Sequence, residues 1–563
     1  CKYMTKVKYK KIDLILSLIC VILTVFRITL DIVVPVFIQA DAIYDDRLLF
    51  NYAYSLSKFQ WLGSFSQLTL AKTLGYSLFV VAAHYVHIPL SLATLLYYIG
   101  SVIILIFSLK KIISNKYFLY ILYIILIFCP ISFGVGAFKV VYRNGVQIST
   151  MIMVIASTIG VFKSRGTKNK LIFWTVLDSI FITFFYLVKE DGIWLMPFAI
   201  GGLIITFIYL FIENNKKINK KCLLLLIPIL SLVIVLTGYK FINYKVYGEY
   251  TLTDRTGTNF HLVINDIMSV KSSHTKYSWV TKDTIYKVVN NSKTLYKYKD
   301  IIYDNMYEGW GMTKDGEIWA DLFYWRLRHC ISLTGLYDKG GKEVNDFYGK
   351  VHKELNKAFK DGRLKKDENS YHISSSLPNY NKNEIEQMKK LYLPMLKKIY
   401  SYSNALNDIG LYNSTGDYEN IEFVRSFTRD KIYDGKNKEK WAINIEKRII
   451  GVYQDCGLIF GIIGLIGNII FYIFSINQFF KKNFNSLEQF LIQIGLFGTF
   501  ILYYFIIVWF GLKFPDNVGI IYGYMHPAHI ILNILTLVGI YNIIYVIKKI
   551  KVGDMYEKRK SIK

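Results

Sequence analysis

The chain alternates between long apolar runs and short polar connections, a pattern typical of a bundle of membrane-spanning helices. A helix that crosses a bilayer needs roughly 20 predominantly apolar residues. The segments that meet this requirement are 12–37, 91–109, 117–135, 146–162, 171–188, 193–212, 222–242, 449–478, 487–511 and 519–547. We therefore predict a mainly α, polytopic membrane bundle of about ten spans.

One apolar segment, 68–89, does not fit this map, because it contains Lys72, a glycine and two histidines. If it were a span, Lys110 and Lys111 would lie outside and every later segment would be inverted. We therefore predict a juxtamembrane or re-entrant helix, which is tolerated where it is buried in protein or lines a cavity. The first external loop then extends over 39–89. The alternative, that 68–89 spans, would keep that loop outside but move the later turns to the other side.

A polar block separates two membrane parts of the chain, 1–242 and 448–563. The block, 243–447, is rich in Tyr, Lys, Asn and Asp and is large enough for a domain. Helical periodicity and short mixed runs predict helices over Glu317–Ser332, Lys342–Phe359 and Glu384–Leu406, with a candidate strand at Glu249–Leu252. We expect a mostly helical external domain of about 200 residues.

Composition and charge support the membrane prediction and argue against a nucleic-acid-binding protein. Hydrophobic residues make up 53% of the 563 residues, and the mean hydropathy is +0.30. The net charge of +27 does not indicate nucleic-acid binding, because Lys and Arg lie mostly in short clusters between the apolar runs and in the polar block. Those inter-span clusters fall on one side, which the positive-inside rule makes the cytoplasm. Both termini are then cytoplasmic and 243–447 is extracellular. The six cysteines are scattered, without the spacing of a disulfide framework or a zinc site.

The stretch YDDRLLFNYAYSL, residues 44–56, carries two adjacent carboxylates, Asp45 and Asp46. Like charges close together and partial burial raise the pKa of one carboxyl, which suits a general base. Adjacent residues on a helix point about 100 degrees apart, so both cannot meet one atom. One is expected to do chemistry while the other orients, binds Arg47 or contacts a substrate hydroxyl. The alternative is an ordinary acidic helix start, which the helix dipole favours.

Three turns carry further candidate residues. Arg143 follows Lys139 and Tyr142, and Lys189 precedes Glu190 and Asp191. Cations at an outer interface suit a lipid phosphate, since Arg matches phosphate oxygens bidentately, although side chains that snorkel at helix ends are the alternative. In the last turn Tyr524 and His526 precede a Pro. That His is a candidate base, phosphate partner or interface residue, and no metal-ligand spacing is present.

Several motifs, in this order, together resemble those of the polytopic GT-C glycosyltransferases. They are the acidic pair after the first span, WLGSF, TLAKTLGYSLF, VYRNG, KEDGIWLMP and YMHPAHIILN, with EIWADLFYWRLRHCISLTGLY in the polar block. The resemblance is to bacterial members that use polyprenyl-phosphate sugars, related to the protein mannosyltransferase and aminoarabinose transferase groups. Two features depart from the family pattern. His526 stands before Pro where relatives often have an Arg and Tyr pair, and Lys189 stands where an Arg is expected.

The resemblance implies a helical bundle whose first external loop presents a catalytic Asp beside a cavity for a lipid-linked donor. It implies that Asp45 is the general base, with Asp46 a neighbour that can exchange that role. By the same resemblance, Lys72, Arg143 and Lys189 bind the donor phosphate, and Glu190, Asp191, Tyr524 and His526 line the cavity.

The expected function is an inverting transfer of a sugar from a polyprenyl phosphate to a glycan, lipid or protein of the cell envelope. The reaction would occur on the outer face of the cytoplasmic membrane. No cofactor is firmly expected, and a divalent metal stays an open alternative. Charges at membrane depth, at Arg27, Asp31, Asp178 and Asp455, leave a transporter or flippase of lipid-linked saccharide as a second hypothesis. A third is a non-catalytic envelope protein that binds glycans.

Overall fold

The fold is mainly helical. A computed structural model describes residues 2–110, 112–374 and 376–561, with side chains described from residue 12 to residue 550. Helices make up 69% of it, and within these described ranges extended segments pair only through isolated bridges. Residues 249–252, the candidate strand, are not part of any strand.

The α-helices, numbered in chain order, are α1 (Lys2–Val33), α2 (Asp46–Ser57), α3 (Gly75–Tyr85), α4 (Leu90–Leu109), α5 (Lys116–Ile127), α6 (Asn144–Ser164), α7 (Lys168–Val188), α8 (Met196–Glu213), α9 (Lys220–Leu224), α10 (Ile227–Tyr247), α11 (Asn259–Ser269), α12 (Lys282–Asn291), α13 (Lys293–Tyr296), α14 (Lys299–Met306), α15 (Leu322–Ser332), α16 (Gly341–Lys360), α17 (Lys382–Tyr400), α18 (Tyr418–Thr428), α19 (Lys440–Phe480), α20 (Leu487–Gly511), α21 (Asn517–Tyr524) and α22 (His526–Ser561). Short 3-10 helices occupy Pro130–Ser132, Gly192–Leu195, Tyr337–Lys339 and Ala405–Asp408.

Nine helical segments of the described chain are long and apolar enough to cross a membrane, which makes this a multi-pass membrane protein. They are Ile12–Val33, Leu90–Leu109, Asn144–Ser164, Lys168–Val188, Gly192–Glu213, Lys220–Tyr247, Lys440–Phe480, Leu487–Gly511 and His526–Ile550. Each coincides with one of the ten predicted spans. α6 lies at the centre of the bundle and is buried on all sides, whereas the other spans are partly exposed.

The remaining predicted span, 117–135, is helical only as far as Ile127. Pro130 explains the early end, because a proline disfavours helical backbone at the residue before it. The 12 residues of α5 reach about 18 Å, less than the ~30 Å of a hydrocarbon core. The chain nevertheless continues alongside α1. Lys116 pairs with Asp13 near the start of the apolar span Ile12–Val33 of α1, and Lys139 pairs with Asp31 near its end.

Arg27 stabilises the part of that segment that follows the α-helix. Its guanidinium donates to the backbone oxygen of Ser132 at 2.6 Å and lies 4.1 Å above the ring of Phe133. Non-helical backbone at membrane depth is tolerated only where protein groups or water satisfy it. The charged side chain of Arg27 in α1 therefore provides a hydrogen bond to the backbone that follows α5.

Segment 68–89 contains a single helix, α3, of 11 residues, which is too short to cross a membrane as a helix. It packs against α2 and the end of α7. A Cβ added at Gly75 would lie 2.4 Å from the backbone carbon of Leu187, so this close approach requires glycine. As a result, Lys72 is held beside the turn that follows α7.

The polar block packs on both the first loop and the bundle. The predicted helices appear as α15, α16 and α17, with boundaries that differ by up to six residues. Apolar side chains between residues 252 and 364 share a core with Leu48, Tyr52 and Leu70 of the first loop. By contrast, α17 shares the core of the membrane bundle with α19, α20 and α22.

Candidate active site

Asp45 and Asp46 point in different directions, as expected for neighbours at a helix start. α2 begins at Asp46, and Asp45 precedes it without capping it. The Asp45 side chain is 58% exposed, whereas Asp46 is only 6% exposed. Asp45 forms an ion pair with Lys72 and accepts a hydrogen bond from the Tyr142 hydroxyl at 3.2 Å. Asp45 therefore faces the open side and Asp46 the interior.

The two carboxyls differ in acidity. Burial alone would raise the pKa of Asp45, but the Lys72 ammonium outweighs it and holds that pKa below its usual range. Burial raises the pKa of Asp46 well above its usual value, and the Asp45 charge adds to this effect. Asp46 Oδ2 has no hydrogen-bond partner among the described residues. Asp45 therefore keeps its charge to lower pH than an ordinary carboxyl, and Asp46 takes up a proton more readily than Asp45.

Lys72 is buried beneath these groups. Its ammonium lies 3.4 Å from the Tyr142 hydroxyl and 5.1 Å from the centre of that ring. Burial lowers the pKa of Lys72 to about 8, although the Asp45 charge opposes this shift. Lys72 is thus a cation whose charge is easily lost at mildly alkaline pH.

Arg143 and Glu190 form the second ion pair of the site. The guanidinium donates two parallel hydrogen bonds to the carboxylate, at 2.6 and 3.2 Å. Burial would raise the pKa of Glu190, but Arg143 overrides it and lowers that pKa to about 2. Arg143 Nε is buried and has no partner among the described residues. The pair joins the loop before α6 to the turn after α7.

Lys189 and Asp191 form a third pair at 3.0 Å in the same turn. The Lys189 ammonium also lies 5.0 Å from the centre of the Tyr524 ring, a cation–π distance. Burial raises the pKa of Tyr524, and the negative charge of Asp45 contributes further. Tyr524 therefore lies among these charged groups.

His526 lies in a different environment. Its Nε2 is 3.8 Å from Asp408 Oδ2, and its ring faces Gly136. Burial raises the pKa of Asp408 to about 6. Among the described residues, no contact joins His526 to the first loop or to Arg143. The structure thus brings together Asp45, Asp46, Lys72, Arg143, Lys189, Glu190, Asp191 and Tyr524, whereas His526 lies next to Asp408 and Gly136.

The polar block contributes two residues that the sequence does not identify as part of the site. Arg255 pairs with Asp321 at 3.8 Å. Burial raises the pKa of Asp321, with the Arg255 charge opposing it and the Asp45 charge adding to it. Asp321 lies in the EIWADLF motif, and this motif could have identified it as a candidate. Nothing in the sequence around Arg255 marks that residue as a candidate. Tyr142, noted only as a neighbour of Arg143, bridges Lys72 and Asp45.

The site is a set of buried cations, each paired with a carboxylate, around an exposed Asp45. Among the residues that the structure describes, no group of three His, Cys, Asp or Glu side chains is placed to hold a metal ion. A polyanionic ligand could bind here by taking over the cations from their carboxylate partners. No protein-family model, curated protein or solved structure matches the chain.

Proposed function

We propose that this protein is an inverting glycosyltransferase of the GT-C type. It transfers a sugar from a polyprenyl-phosphate donor to an acceptor of the cell envelope. The observation that carries the proposal is the exposed, ionised Asp45 next to Lys72, with Arg143 and Lys189 at the same end of the bundle. A base and phosphate-binding cations at one membrane interface are what this transfer needs.

In the proposed step the acceptor hydroxyl oxygen attacks the anomeric carbon of the donor sugar. The bond from that carbon to the phosphate oxygen breaks, and the electron pair leaves with the polyprenyl phosphate. The proton of the hydroxyl passes to the Asp45 carboxylate. Because this is one displacement, the configuration at the anomeric carbon inverts.

Lys72 has a double role in this proposal. In the free enzyme it neutralises Asp45. When the donor binds, its ammonium turns to the phosphate together with Arg143 and Lys189, and Asp45 becomes free to accept a proton. Asp46 is the buried neighbour, whose raised pKa makes it the more readily protonated carboxyl of the two.

The proposed location is the outer face of the cytoplasmic membrane. The support is the distribution of Lys and Arg, from which we infer cytoplasmic termini and an external 243–447. This sidedness requires that α5 and the chain after it cross the bilayer together. The contacts of Lys116 with Asp13 and of Lys139 with Asp31 support such a crossing, because they lie at the two ends of the apolar span in α1.

The decisive experiment compares Asp45→Asn and Asp46→Asn in lipid nanodiscs. Release of polyprenyl phosphate would be measured from undecaprenyl phosphates that carry mannose, glucose, galactose or arabinose, with envelope fragments as acceptor. We expect Asp45→Asn to lose at least about 100-fold of the rate, the usual contribution of a general base, and Asp46→Asn to lose less. Asp434→Asn, on an exposed ion pair of the polar block, is the matched control. Full activity in both Asp45→Asn and Asp46→Asn would remove the proposal.

The second candidate function is a transporter or flippase for lipid-linked saccharide. The observation that favours it is Asp178 in α7, which is fully buried. One oxygen accepts bonds from Ser157 and Thr158, and Oδ2 has no partner among the described residues. Intramembrane carboxyls often mark transport pathways. Movement of a labelled lipid-linked sugar across vesicles without release of polyprenyl phosphate would favour this candidate.

A further inference from the structure

Three aromatic side chains cluster at Tyr44, the residue before Asp45. The Tyr44 ring lies 4.9 Å from the Trp325 ring with 29° between their planes, and 6.4 Å from the Trp310 ring. Tyr44 precedes Asp45 in the chain, while both tryptophans come from the polar block. This cluster therefore includes the buried ring of Trp325 and the residue that precedes Asp45.

Contacts from the polar block hold the Trp325 ring and the loop of Trp310 in place. Trp325 is buried, and the guanidinium of Arg255 lies 5.3 Å from its centre. The loop of Trp310 is fixed by a hydrogen bond from Arg326 to the Trp310 backbone oxygen. Gly311, with a φ of +80°, lets this loop approach Leu322, because a Cβ there would lie 2.4 Å from that side chain. Trp310 is thus presented on an anchored loop.

Trp310 is 61% exposed, so its ring contributes little to the core. Charged groups lie around the cluster, namely Asp45 beside Tyr44, Arg326 below the loop and Glu308 two residues before Trp310. A lipid chain or the core of a protein interface needs a continuous apolar surround, which is depleted in charge. A pyranose ring instead presents C–H groups on one face and hydroxyls around its edge. Its C–H face fits an aromatic ring, and its hydroxyls fit charged hydrogen-bonding neighbours.

We propose that Tyr44 and Trp310 form a stacking platform for a saccharide, which makes the acceptor of this enzyme a glycan. Because Asp45 follows Tyr44 in the chain, a saccharide on the platform lies at the start of the helix that presents this carboxylate. The assignment of the saccharide as acceptor rests on the proposed glycosyl transfer. Binding of the saccharide to the platform does not depend on it.

The test measures saccharide binding to the full chain in nanodiscs. The probes are chitotetraose, cellotetraose and mannotetraose, observed by saturation-transfer NMR and by titration. We expect at least one to bind. Trp310→Ala should weaken that binding at least tenfold, and Trp310→Phe should keep it within about threefold, since it preserves an aromatic face. Trp441→Ala is the matched control, because Trp441 is 47% exposed at the start of α19, and it should leave binding unchanged.

The outcomes separate the platform from the catalytic proposal. Failure of all three tetrasaccharides to bind, or equal binding by Trp310→Ala and the wild type, would overturn the platform. Brominated phospholipids could instead quench a part of the fluorescence that is missing in Trp310→Phe. This result would place the Trp310 ring in the membrane and would also overturn the platform. Asp45→Asn should keep binding within about threefold while transfer is lost. Retained transfer in that variant together with intact saccharide binding would refute the base and leave the platform standing.

Discussion

At the scale of single residues, adjacent carboxyls acquire different chemistry from their surroundings. Asp45 is exposed and paired with Lys72, whereas Asp46 is buried with one oxygen unpartnered. The same residue type therefore supplies two groups of different acidity, because burial and a nearby cation move the two pKa values in opposite directions. In the proposed transfer, the exposure of Asp45 and its lowered pKa favour it as the base.

Lys72 sets an alkaline limit for the proposed reaction. Its pKa is lowered to about 8 by burial, so the ammonium exists below that pH and is lost as the pH rises through it. Because a phosphate is held by the charged form, the rate of donor turnover should fall above about pH 8. The Lys72→Arg variant keeps its charge at these pH values and should lack this fall, even if its maximal rate is lower. A pH profile from 6 to 10 measures this, and identical alkaline limbs in both proteins would contradict it.

At the scale of elements, the interrupted α5 depends on charges from a neighbouring helix. Arg27 supports the backbone at Ser132 and also lies 3.5 Å from Asp31, which in turn contacts Lys139 at 3.0 Å. These are buried ion pairs that also satisfy backbone oxygens. Their positions hold the loop that carries Arg143 at the end of α1.

Removing Arg27 should therefore destabilise the bundle. Arg27→Met leaves the Ser132 oxygen without its donor and Asp31 with one cation fewer, and breaking a buried ion pair typically costs about 3 kcal/mol or more. The apparent unfolding temperature in nanodiscs should fall clearly. Arg425→Met removes an exposed pair with Glu422 and should change stability by less than about 0.5 kcal/mol. Equal unfolding temperatures for the two variants would show that the Arg27 contacts are not stabilising.

At the scale of the whole molecule, the sequence predicts what depends on local length and pattern. Nine predicted spans coincide with long apolar helices, because their apolar length is itself the signal. The end of α5 at Ile127 could have been predicted from Pro130. The prediction extended to residue 135 because it used apolar content alone. The Asp45–Lys72 pair could not be predicted from the sequence, because it depends on how α3 packs against α7. The position of Arg255 could not be predicted either, because the packing of the polar block on the first loop brings it close to the site.

One buried arginine connects the polar block to the first loop. Arg328 of α15 pairs with Asp254, which also accepts from the Tyr324 hydroxyl at 3.0 Å. The same guanidinium donates to the backbone oxygen of Thr69 at 3.2 Å, three residues before Lys72. The polar block therefore positions the chain that carries Lys72, and catalysis should depend on a contact outside the site.

Arg328→Met should lower the rate of transfer by about 10-fold or more through misplacement of Lys72, since small displacements of catalytic groups have effects of this size. Hydrogen exchange of the backbone amides between residues 66 and 74 should become faster, because the Thr69 oxygen loses its donor. Arg363→Met, on an exposed pair with Asp361, is the control and should change neither quantity. The exchange measurement separates a positioning role from general unfolding, which would speed exchange throughout the polar block. Normal transfer and unchanged exchange in Arg328→Met would mean that the first loop holds Lys72 in place without the polar block.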